Sequence, residues 1–168
     1  ADIFQGGTLL TAAQMKKINT WTATPEQNWA LCYKMSRDGD SLYTFHQNCD
    51  NKGETITVAK LNAGTTIERL VGGYATASWA GSGNITEPSS FLFSLTNNFK
   101  HISQNSNYQY NNSSYAPTWG GGHDFTAGTS SYIGTGAYCR LGSSYNCRVG
   151  TYNTTTCYND FCGRFSPT

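Results

Sequence analysis

The chain has 168 residues, a formal net charge of +1 and only 12% charged side chains. That length suits one domain built on one core, expected over residues 1–168, and falls short of two. So weak a field holds neither nucleic acid nor an anionic membrane, and no apolar run approaches the roughly 20 residues that span a bilayer.

The start, ADIFQGG, lacks the basic and apolar regions of a signal peptide, so a processed, mature end is expected. A helix follows over about residues 9–21, within TLLTAAQMKKINTW. There Thr11 and Gln14 form a capping box, and Met15, Ile18 and Trp21 make an apolar stripe. Pro25 stops any continuation. WALCYKMS then alternates as a half-buried strand, with Trp29, Leu31, Tyr33 and Met35 on one face. SRDGD turns the chain, and Asp40 or Ser41 caps a short second helix in which Leu42, Phe45 and Cys49 share a face.

From Lys52 onward the reading is β: ETITVAKL, IERLVGGYAT and SSFLFSLTN, then Tyr- and Gly-rich segments between turns. FLFSL is almost continuously apolar, which predicts a central strand covered on both faces. Gln104–Thr118 reads as a long loop or an edge hairpin. The sum is an α+β domain: an antiparallel β-sandwich flanked by two helices, with a disulfide-stapled C-terminal region over about residues 139–168.

Six cysteines in a Gly-, Ser-, Asn- and Tyr-rich chain fit an oxidising compartment, so secretion is expected. The N-x-S/T pattern at Asn84, Asn111, Asn112 and Asn153 agrees without deciding it. Short separations favour Cys32 with Cys49, Cys139 with Cys147, and Cys157 with Cys162; a pair between two chains is the alternative.

Five stretches carry chemistry. Asp38 and Asp40 in SRDGDS alternate as oxygen ligands in calcium loops do, although the glycine and terminal glutamate of an EF-hand are not at their offsets, and a structural turn and helix cap is the favoured account of them. His46, Cys49, Asp50 and Glu54 lie close in sequence, but a disulfide at Cys49 accounts for the sulfur more simply than a nucleophile. WGGGHDF sets Trp119, His123 and Asp124 together; an exposed Trp is a platform for the C–H face of a sugar, and Trp79 is a second such ring. GSGNITEPSS places Asn84 and Glu87 in a loop, solvated or ligand-bearing. CYNDFC holds Asn159 and Asp160 between two cysteines, either as a stapled surface turn or as a rigid loop offering oxygens to a cation. No HExxH, GxSxG, P-loop or intracellular redox CxxC occurs, and the ten acids are spread widely, so no enzyme is expected.

In order, SRDGDSLYTFHQNCDNKGETITVAK, VGGYATASW, SSFLFSL and GGGHDF resemble the TLDc domain over roughly Leu9–Asp124, while the tail beyond Tyr132 departs from it. The family has no agreed enzymatic mechanism, and its intracellular members look like protein-binding modules; a non-enzymatic extracellular interaction module is therefore one expectation. Size, cysteine content and an isolated domain are also similar to the calcium-using galactose-binding lectins of sea anemones. Glu87-Pro88-Ser89 and Tyr158-Asn159-Asp160 are similar locally to the Glu-Pro-Asn and Trp-Asn-Asp signatures of C-type lectins. These resemblances imply a Ca²⁺-dependent lectin for terminal galactose. Glu87, Asn159 and Asp160, with Asp124 or Asp40, would hold the metal; Trp119 or Trp79, with Asn84 and His123, would take the sugar. Cell-surface binding also asks for two sites, hence a homodimer, with a disulfide between copies as one form.

Overall fold

The computed structural model describes residues 3–163. The expected domain ends at residues 1–2 and 164–168 lie outside them. In chain order the elements are β1 (Phe4–Gln5), α1 (Ala12–Trp21), β2 (Trp29–Ala30), α2 (Met35–Asp38), α3 (Leu42–Cys49), β3 (Thr55–Leu61), β4 (Arg69–Ala75) and β5 (Gly83–Ile85). There follow β6 (Phe91–Ser94), β7 (Phe99–His101), β8 (Gln109–Asn111), β9 (Thr118–Trp119), β10 (Phe125–Gly128), β11 (Ile133–Cys139) and α4 (Thr155–Cys162).

The capping box of α1 forms: Thr11 Oγ1 accepts from the Gln14 N–H, and Gln14 Oε1 accepts from the Thr11 N–H at 2.8 Å. The expected strand after Pro25 stops at Ala30, and Met35 opens α2 instead. The reason is local. Asp38 accepts from the Lys34 N–H at 2.8 Å while its other oxygen holds Arg37 at 2.6 Å, which closes a helical turn in place of a ladder.

Two antiparallel sheets face each other, ordered β3-β4-β6-β7 and β11-β10-β9-β8-β5. Phe91–Ser94 of the FLFSL run forms β6, an inner strand buried at all four of its residues. β8 is also internal, paired on both sides, so the Gln104–Thr118 stretch is more than an edge hairpin. The sheets meet where Trp119 of β9 lies on Gly73 of β4 and its indole N–H donates to the Tyr74 carbonyl at 3.1 Å.

Cys32 and Cys49 pair as expected, but the other two disulfides are Cys139–Cys162 and Cys147–Cys157. The expected Cys157–Cys162 staple is excluded by helix geometry. CYNDFC lies inside α4 and is not a loop, and positions five apart on a helix point about 140° away from each other. Cys162 therefore reaches back to β11 and Cys157 to the segment before the helix. All six cysteines close within the chain, which leaves none for a covalent link between copies.

α4 starts where Thr154 accepts from the Cys157 N–H, and it buries Cys157, Tyr158, Phe161 and Cys162. Phe161 touches both sheets, with its ring 5.1 Å from His101 of β7 and 5.5 Å from Phe125 of β10. The cysteine-rich tail thus closes one side of the sandwich core.

Candidate functional site

Strand register sorts the five-stranded sheet into two faces. Gln109, Trp119, Phe125 and Cys139 stand opposite one another across β8, β9, β10 and β11, all buried. One residue along, Asn84, Tyr110, Thr118, Thr126 and Tyr138 form a second row that crosses all five strands. Because side chains alternate along a strand, this second row belongs to the face turned away from the other sheet.

Aromatic rings cover the middle of that outer row. His123 lies 4.7 Å from Tyr110 and 5.1 Å from Tyr115, and the two tyrosines are 5.6 Å apart, edge to face. Beneath them the Thr118 hydroxyl donates to the Ala116 carbonyl at 2.7 Å and pairs with the Thr126 hydroxyl at 3.2 Å. His46 of α3 spans Asp50 at 2.8 Å and the Tyr115 carbonyl at 3.0 Å, tying the Tyr115 segment to a helix.

His123 adopts φ 55°, the left-handed region, at the end of a turn closed by its own N–H on the Gly120 carbonyl. A histidine held there costs energy, and such outliers gather at binding sites. The turn depends on Gly120, at φ 84°, because a Cβ there would stand 2.1 Å from Asp124 Oδ1. Burial lowers the pKa of His123, so the ring is neutral at pH 7 and offers one donor and one acceptor.

Beside the rings an open cavity of about 310 Å³ is lined by Tyr115, His123, Thr126, Thr129, Ser130 and Tyr138, with glycines completing the wall. None of its lining side chains is acidic. It combines aromatic faces, hydroxyls and a neutral imidazole, a set that binds a polyol by stacking and hydrogen bonds.

The other sequence candidates fall elsewhere. Trp119 is fully buried and Trp79 is 2% exposed, with its indole N–H on Thr55 Oγ1 at 2.9 Å; both are core residues and neither offers a platform to a sugar. Asp124 is buried, and its carboxylate accepts from the N–H groups of Gly142, Ser144 and Tyr145 at 2.8–3.0 Å. Burial pushes its pKa up while those donors pull it down. Asp160 is bridged by Nε and Nη2 of Arg148, and its carbonyl accepts from Arg69 at 3.2 Å and Asn97 at 2.8 Å. Asn159 sits half-buried beside it on α4. Glu87 is exposed before Pro88, and the Asp40 carbonyl receives the Ile133 N–H at 2.8 Å.

A calcium ion needs six to eight converging oxygens. Among the described residues no three His, Cys, Asp or Glu side chains gather to hold a metal. Asp124 and Asp160 are already occupied by protein donors, so the expected ligand set does not fit calcium. On the outer face the structure brings together two of the expected residues: His123 contacts Tyr110, and Asn84 is the strand partner of Tyr110; the expected Trp79 and Trp119 meet each other inside the core. Sequence reading missed Tyr110, Tyr115, Thr126 and Tyr138; the Tyr-rich alternation in NYQYNN is a visible signal for Tyr110 alone.

Comparison with known families matches residues 3–161 to the TLDc domain, so the match extends through the tail that had looked divergent. No curated protein matches the chain. A match over nearly the whole sequence places the fold and its tail together: the chain belongs to the TLDc domain family.

Proposed function

We propose that the outer face of the five-stranded sheet binds carbohydrate, and that the protein is a lectin for terminal galactose acting through rings and hydroxyls without a metal. The observation that carries this reading is the His123–Tyr110–Tyr115 cluster beside a cavity whose lining holds hydroxyls and no acid. Tyrosine faces suit the C–H surface of a neutral sugar, and Thr126, Thr129 and Tyr138 supply groups that fix hydroxyl orientation. The galactose preference itself rests on the likeness in size and cysteine content noted above. One site per chain binds sugar weakly, so cell-surface function requires at least two linked sites. With every cysteine spent internally, a homodimer here is noncovalent.

Titration calorimetry with lactose, run in calcium and again in excess chelator, tests the reading. Heat of binding in both supports it. No heat in either overturns it, and heat in calcium alone overturns the metal-free part.

A second reading, a protein-interaction module, draws on the exposed Met35, Tyr43 and Tyr132 around the start of α3, where Ser41 bridges Tyr132. Large apolar side chains gathered on one surface favour a protein partner. Tyr43→Ser leaves lactose binding unchanged under the first reading, and this separates the two surfaces.

A further inference from the structure

Four asparagines carry the N-x-S/T acceptor pattern, and the fold treats them unequally. Asn111 is 1% exposed, and its amide nitrogen donates to the carbonyls of Ser78 at 2.7 Å and Ala80 at 2.8 Å. Gln109 donates to its oxygen at 2.7 Å. Both amide hydrogens are therefore spent in the interior, and a sugar on that nitrogen has no room. Asn112 is half-buried, with its oxygen taken by the Ser114 N–H. Asn153 is exposed and lies at φ 62°, its oxygen accepting from Arg140 and from the Tyr158 hydroxyl.

Asn84 shares its exposure with Asn153 alone among these four, and lacks the Arg140 and Tyr158 contacts that hold the Asn153 amide. It is exposed on β5, the outermost strand of its sheet, and Thr86, the hydroxyl residue of its acceptor pattern, is exposed as well. Gly81 and Gly83 beside it face open space, with nothing within 4 Å of where a Cβ would stand. Three disulfides, closing all six cysteines, fit folding in the oxidising compartment where N-glycosylation takes place.

We propose that Asn84 is an N-glycosylation site and that Asn111, with the same acceptor pattern, is not. In the transfer, Asn84 Nδ2 bonds to the anomeric carbon of a polyprenyl-pyrophosphate-linked oligosaccharide. The carbon–oxygen bond to pyrophosphate breaks, Nδ2 gives up one proton, and polyprenyl pyrophosphate leaves. The glycan then stands at a strand edge whose outward backbone groups have no sheet partner among the described residues, and it shields that edge from pairing with another chain. This holds whether or not the outer face, which Asn84 shares with its strand partner Tyr110, binds sugar.

The full chain, secreted from insect cells behind a leader sequence, provides the test. N-glycosidase treatment in heavy-oxygen water marks each formerly glycosylated Asn as labelled Asp, and peptide mass spectrometry locates the label. Label at residue 84 and none at 111 is expected, as is the loss of one glycan's mass in Asn84→Gln secreted at the wild-type level. An unlabelled residue 84 in the folded, secreted protein, or label at 111, overturns the proposal.

Discussion

The indole of Trp119, on the five-stranded sheet, fills the space that a side chain at Gly73, on the four-stranded sheet, would need: a Cβ added there stands 2.4 Å from Trp119 Cε2. This contact fixes how closely the two layers approach, and Trp79 braces it edge to face at 5.1 Å. Gly73→Ala is expected to cost roughly 2 kcal/mol, because the fully buried indole has nowhere to move. Urea denaturation checks this through a lower midpoint at unchanged slope. An unshifted midpoint would mean that the layers have slack.

The disulfide pattern predicts a distinct peptide map. Non-reducing digestion followed by mass spectrometry should find Cys139 linked to Cys162 and Cys147 to Cys157, with no peptide joining two copies of the chain. Replacing both Cys139 and Cys162 with Ser opens a link between residues 23 apart and should cost roughly 3 kcal/mol.

His101 makes stability depend on pH. Its ring is fully buried; Nδ1 donates to the Asn146 carbonyl at 2.7 Å, and Nε2 has no partner among the described residues. Burial lowers its pKa from 6.5 to about 4. The unfolded chain therefore takes up a proton before the folded one does. This stability is complete above about pH 6.5 and is lost as pH falls toward 4, at about 1.4 kcal/mol per pH unit. Denaturation of the wild type and of His101→Asn across that window should show a shallower slope in the variant, and parallel curves would contradict the assignment.

Much of the fold was legible because it rests on local patterns. The Thr11–Gln14 box and the apolar run of β6 both appear in the structure where the sequence puts them. The tail was misread because two cysteines at close spacing suggest a loop. The helical face of Cys157, Tyr158, Phe161 and Cys162, capped by Thr154, was present in the same residues. Trp119 and Asp124 were misread for another reason: burial depends on the opposing sheet and on the 142–145 backbone, which no local pattern reports. The outer row from Asn84 to Tyr138 depends on the register of five strands and is invisible along the chain.

Asp160 separates the metal-bound account from the present one. Its carboxylate, bridged to Arg148, holds α4, so Asp160→Ala should cost about 1 kcal/mol and lower Tm by roughly 3 °C. Sugar affinity should stay unchanged, with and without calcium. A selective loss of calcium-dependent binding would restore Asp160 as a ligand.

Lactose titration of His123→Asn decides whether the ring cluster binds sugar. Asparagine tolerates the left-handed backbone at φ 55° and removes only the ring that packs on Tyr110 and Tyr115. The prediction is an unchanged denaturation midpoint and a Kd for lactose weakened roughly ten-fold, about 1.4 kcal/mol. Wild-type affinity in the folded variant would contradict it.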